Sequence, residues 1–153
     1  MNKKYLSWDI ITECAEKIVK EINERKFEPE VLVPILRGGL GPCAILSHLL
    51  NVREIYPIRC SRYTGVFKAT KPKVEPFPYN INGKDILVID DILDTGETYE
   101  AVSLALKKNK PNRIVCATMF VREDSSRPSF WGKEAPKDEW LVFPWEKREY
   151  SGD

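Results

Sequence analysis

A chain of 153 residues can bury one core but is short for two, so a single domain over 1–153 is expected. Its 24 Lys and Arg against 23 Asp and Glu leave a formal charge of +1, which lacks the basic footprint of a nucleic-acid binder and points to small-molecule partners. No stretch is long and apolar enough to span a bilayer, and Met1–Tyr5 does not read as a signal sequence. Cys14, Cys43, Cys60 and Cys116 are widely spaced in apolar runs, as expected of free buried thiols in a reducing cytoplasm. Structural zinc is disfavoured, because the one histidine, His48, lies on an apolar helical stretch.

In chain order, Ser7 can cap a helix from Trp8 to about Lys26, with Trp8, Ile11, Ala15, Ile18 and Ile22 at helical spacing. Val31–Leu36 is a continuous apolar strand ending in Arg37-Gly38-Gly39, followed by a buried helix over Leu40–Leu50. Val52–Ile58 reads as a second strand, with a further element through Arg59–Tyr63. Residues 62–84 are polar and proline-rich and read as a long flexible loop or a short hairpin. Asp85–Ile89 is the strongest strand. A helix over Gly96–Asn109 follows, turning Tyr99, Val102, Leu106 and Ser103 inward, and Arg113–Val121 is another apolar strand. From Arg122 to Asp138 the chain is polar again, and it closes on Trp140–Trp145, so residues 122–146 read as a small C-terminal hood. Alternating strands and helices imply an α/β fold, a mostly parallel sheet flanked by helices on a Rossmann-like core. In such sheets ligands sit outside the carboxyl ends of the strands, where both glycine turns fall.

Ile86 to Thr98 carries most of the chemistry. An apolar strand runs into Asp90 and Asp91, then Asp94-Thr95-Gly96-Glu97-Thr98. Adjacent carboxylates at the end of a buried strand are costly unless they bind something, and diols and divalent metals are what they suit. The turn after them offers hydroxyls and backbone N–H groups at a helix N-terminus, which suits a phosphate. Asp94 and Glu97 also have capping-box spacing, but capping leaves the Asp90-Asp91 pair without a reason.

Val88–Thr98 resembles the phosphoribosyl-diphosphate signature of the type I phosphoribosyltransferases at each position that carries a role. The resemblance implies that Asp90 and Asp91 hold the ribose 2′- and 3′-hydroxyls, directly or through Mg²⁺. It implies that Thr95, Gly96, Glu97 and Thr98 wrap the 5′-phosphate and that Asp94 lies near the purine N7 as a proton donor or acceptor. Leu36-Arg37-Gly38-Gly39 is similar to the family's diphosphate loop, in which a strained peptide turns an N–H toward the leaving group and Arg37 adds charge. The stretch from Met119 to Arg122, with Asp138 to Glu146, resembles the xanthine-guanine branch. There Trp140 would stack on the purine and Leu141 would offer backbone groups to its edge. Arg122 stands where the 6-oxopurine enzymes place a lysine donating to O6, leaving the choice between 6-oxo and 6-amino purines open.

The implied activity is transfer of the 5-phosphoribosyl group from phosphoribosyl diphosphate to guanine, xanthine or hypoxanthine. The alternatives are an adenine-using enzyme on the same scaffold and a non-catalytic regulator that binds nucleotide and nucleic acid. Relatives assemble as homodimers or homotetramers, and Trp8, Phe67 and Phe130, apolar in polar surroundings, are candidates for such a surface.

Overall fold

The computed structural model describes residues 2–62 and 71–152. The parts of the expected loop that fall on 63–70, Tyr63, Phe67 and Lys68 among them, lie outside the described residues. The chain forms β1 (Asn2–Tyr5), α1 (Trp8–Glu24), β2 (Val31–Leu36), α2 (Leu40–Leu50), β3 (Ile58–Arg62) and β4 (Pro72–Val74). It continues through β5 (Asp85–Leu93), α3 (Glu97–Lys107), β6 (Arg113–Arg122), β7 (Phe130–Ala135), β8 (Glu139–Val142) and α4 (Lys147–Tyr150). Six strands make one sheet in the order β4-β3-β2-β5-β6-β7, parallel except for the β3–β4 pair, and β1 and β8 form a separate parallel ribbon.

The sheet is covered on both faces, as its unbroken apolar strands require. Alternation along β5 sends Leu87 and Ile89 to the face packed by α1 and α2, and Ile86 and Val88 to the face packed by Val102 and Leu106 of α3. On α1 the predicted apolar stripe is sound at Ile11, Ala15, Ile18 and Ile22, all fully buried, while Trp8 is 56% exposed. Ser7 caps the helix by accepting from the Ile10 N–H at 3.3 Å.

Three expectations change. The stretch 52–57 is not a strand: it makes an isolated bridge, Ile55 to Leu32, and ladder pairing with β2 starts at Ile58 after Pro57, which has no N–H to give. Of the two readings of 62–84 the described part takes the hairpin: β4 pairs back on β3 in antiparallel fashion, Ile81 is fully buried, and Asn109 Nδ2 donates to the carbonyls of Phe77 and Tyr79 at 3.1 and 3.0 Å. Part of the expected hood belongs to the main sheet: β7 pairs in parallel with β6, burying Phe130 and Gly132 while Lys133 and Glu134 face solvent, as suits an edge strand. Phe130 is therefore a core residue, 2% exposed and stacked on Phe27, not part of a docking surface. The remainder of the hood is the β1–β8 ribbon, where Asn2–Tyr5 lies alongside Glu139–Val142. Among the described residues no helix is long and apolar enough to cross a membrane.

Because Ile18 is fully buried between α1 and the sheet, Ile18→Ala should lower the unfolding free energy by about 2–5 kcal/mol, read by urea denaturation.

Candidate active site

The carboxyl ends of β2 and β5 open into two adjoining cavities that share Ile35, Asp90 and Thr98. The first, about 340 Å³, is lined by Asp90, Asp94, Thr95, Gly96 and Thr98, with Arg62 at its margin. The second, about 440 Å³, is lined by Leu36, Arg37, Gly38, Asp90 and Asp91. The two sequence-predicted turns thus meet across one cleft. Glu97 and Gly39 stand apart from the linings: Glu97 pairs with Arg62 at 2.9 Å, and Gly39 begins α2.

Local chemistry explains the shape. Gly96 sits at φ +87°, a conformation that glycine takes without strain, and starts α3 with no side-chain cap. The predicted capping box is therefore not formed; at the start of the helix the Glu97 N–H donates to Thr95 Oγ1 at 3.4 Å instead. The Leu36–Arg37 peptide bond is cis. Gly38 lies so close to Asp91 that a Cβ there would collide with the carboxylate, so the backbone of the first turn rests against the Asp91 side chain. The Arg37 guanidinium is answered by Glu149 of α4, with Nη2 at 3.2 and 3.3 Å from its two oxygens. Both side chains are largely exposed, and such pairs contribute only about 0–1 kcal/mol, so Arg37 is not locked there.

The Asp pair is the electrostatic centre. Asp91 N–H donates to Asp90 Oδ1 at 2.9 Å, and Ile92 N–H donates to Asp91 Oδ1 at 2.7 Å. Burial pushes the Asp90 carboxyl well above the ordinary carboxylate range, with the Asp91 charge adding to it, and burial also raises Asp91. These groups fit a hard divalent cation: they offer oxygen donors at the edge of both cavities, and a Mg²⁺ site uses one or two carboxylates with substrate oxygens completing the shell. Among the described residues no group of three or more His, Cys, Asp and Glu forms an all-protein cage.

The base-side residues lie beyond these linings. Trp140 on β8 is 43% exposed, with the Tyr150 ring 5.8 Å away. The Leu141 side chain is buried in the core. Arg122 ends β6, its Nη1 donating to the carbonyls of Pro136 at 2.6 Å and Glu139 at 2.8 Å.

A family profile described as phosphoribosyl transferase domain matches residues 2–150. The chain belongs to the phosphoribosyltransferase family. It is 29% identical over 144 residues to a xanthine-guanine phosphoribosyltransferase of Desulfotalea psychrophila, covering 92% of this chain and 84% of that one. A purine phosphoribosyltransferase structure from Pyrococcus horikoshii superposes with a TM-score of 0.82 at 29% identity, covering 95% of both chains. A xanthine-guanine-hypoxanthine phosphoribosyltransferase of Helicobacter pylori gives 0.84 at 27% identity, covering 98% of this chain and 97% of that one.

Sequence reasoning missed several residues of this phosphoribosyltransferase cleft. Trp145 stacks on Phe143 at 5.0 Å and lines the second cavity, together with Glu146 and Glu149. No local pattern could have revealed that approach of the C-terminal segment. Thr118 lines the first cavity, pairs in register with Asp90, and has a buried hydroxyl with no partner among the described residues. Its signal was present as a lone hydroxyl inside an apolar strand.

The raised pair sets a pH dependence. The folded protein holds protons here that the unfolded chain has already released in the ordinary carboxylate range, so stability falls as pH rises from that range through the raised values. Asp90→Asn should therefore raise the urea midpoint at neutral pH in EDTA and flatten this decline. A lower midpoint would mean that the hydrogen bonds of the pair outweigh its repulsion.

Proposed function

We propose that this chain is a Mg²⁺-dependent purine phosphoribosyltransferase, moving the 5-phosphoribosyl group from phosphoribosyl diphosphate to the ring nitrogen of guanine, xanthine or hypoxanthine and releasing diphosphate. The observation that carries the reading is the junction of two cavities at Asp90: the glycine-started N-terminus of α3 on one side and Arg37 with Gly38 on the other. The relatives' names and the resemblance of 88–98 supply the purine and the donor.

In this reading Thr95, Gly96, Glu97 and Thr98 receive the 5′-phosphate through N–H and hydroxyl donors, aided by the positive end of α3. Asp90 and Asp91 accept from the ribose hydroxyls and hold the metal. Mg²⁺ bound there supplies charge neutralisation to the leaving diphosphate. Leu36 to Gly39 take the diphosphate, Arg37 exchanging Glu149 for the anion. Displacement at C1 develops oxocarbenium character, and fixed donors on the diphosphate side stabilise the charge that leaves. Asp94, at the mouth of the first cavity, exchanges the proton at purine N7. Trp140 carries the base, and Leu141 and Arg122 line its edge. Stacking of a base on such a ring contributes about 1–3 kcal/mol.

The test is turnover with donor and Mg²⁺ on guanine, xanthine, hypoxanthine and adenine separately. Turnover of the first three, abolished by EDTA, is expected. Turnover of adenine alone would shift the reading to the 6-amino purines, and donor binding without any turnover would make the chain a non-catalytic binder. Asp94→Asn should lower kcat about 10²–10⁴-fold with donor affinity little changed; an equal loss in both would remove its proton-transfer role.

A further inference from the structure

Arg122 spends its charge in an unexpected place. Its Nη1 is shared by two carbonyls, Pro136 O at 2.6 Å and Glu139 O at 2.8 Å, which flank the turn between β7 and β8. Glu139 is the residue directly before Trp140. The backbone of Arg122 is fixed in turn, because its own carbonyl accepts from Ser125 Oγ at 2.8 Å and Arg127 Nη1 at 2.9 Å, and Arg127 Nη2 reaches Glu134 at 2.8 Å. The end of β6, the connection to β7 and the turn into β8 are thereby tied at one side chain. Trp140 is 43% exposed, with the Tyr150 ring 5.8 Å away, and its backbone lies alongside Lys3 of β1, so the strand is held by its backbone while much of the indole faces solvent.

We propose that Arg122 is the positioning residue of the base platform: the two bonds from Nη1 fix the peptide that carries Trp140, leaving Nη2 and Nε to meet the purine edge. The proposal rests on the functional reading above, which places the base on Trp140. A guanidinium has five N–H donors in a fixed plane, so both hydrogens of one nitrogen can be committed to the hood while the others keep a separate direction. Among the described residues Nη2 and Nε have no hydrogen-bond partner. A lysine carries its three donors on one flexible nitrogen, so the turn and a ligand would have to gather around a single point instead of on two sides of a rigid fork. The groups left to the ligand are donors without an acceptor, which matches a purine carbonyl and not an amino group. The arginine at this position therefore acts on base selection by holding the stacking surface as well as by facing the base.

The experiment is Arg122→Lys and Arg122→Gln in the full chain. KM for guanine and for phosphoribosyl diphosphate is measured separately, and amide hydrogen exchange is followed over residues 137–142. Arg122→Lys, which keeps a cationic donor, should raise KM for guanine at least about tenfold, leave KM for the donor within about twofold, and speed exchange in 137–142 but not in β5. Arg122→Gln should do the same or more. An unchanged KM for guanine in Arg122→Lys overturns the proposal, because a plain donor would then suffice. So does exchange that quickens equally across β5, since the change would then be general loosening. If the unmodified protein turns over no purine, the functional reading fails by itself. Exchange at 137–142 then decides the clamp, which unchanged exchange in Arg122→Lys overturns.

Discussion

The site depends on one constraint, the position of β5 in the middle of the sheet. Flanked by β2 and β6 and covered on both faces, it must be apolar from Ile86 to Ile89. Asp90 and Asp91 follow directly, still inside the strand but half-buried at the cleft. The same strand carries their neighbours into place. Pairing with β2 brings the Arg37 turn alongside, and pairing with β6 sets Thr118 against Asp90 and places Arg122 farther along the same side of the cleft. Sheet register, fixed by side chains far from any ligand, decides which groups face one another.

A second thread is local compensation of charge. Near neutrality of the whole chain conceals a cleft in which cations and anions are matched in pairs: Arg62 with Glu97, Arg37 with Glu149, and Arg122 with two carbonyl dipoles. The first two are exposed ion pairs, weak enough for an incoming anion to replace one partner. The third is a bond to backbone and gives the hood its place. The Asp pair is the exception: burial raises both carboxyls, and the Asp91 charge adds to the rise of Asp90.

Legibility from sequence followed the range of the forces involved. Strands β2, β5 and β6 and helices α1 to α3 were readable because burial on one or two faces writes a local apolar pattern. The motif at 88–98 was readable because a strand, a turn and a helix N-terminus lie in one short run. β1 was not, since Asn2–Tyr5 is polar and becomes a strand only through pairing with Glu139–Val142 at the other end of the chain. β7 was hidden by its charged outer face, as edge strands are. The boundary at Pro57 was misjudged because the β-branched and aromatic residues before it mimic a strand whose ladder the proline interrupts. In the cleft, most residues of the two local motifs line the cavities, with Gly39 and Glu97 outside them, while Trp145 and Glu149, brought in by long-range folding, had no local signal.

In the β1–β8 ribbon Asn2–Tyr5 is hydrogen-bonded to the strand that bears Trp140, and Tyr5 Oη donates to the Tyr150 carbonyl at 2.9 Å. Residues near both ends of the described chain therefore meet at one ribbon. Weakening of that pairing would loosen Glu139–Val142 while leaving the six-stranded sheet intact, so the ribbon can open as a unit separate from the core.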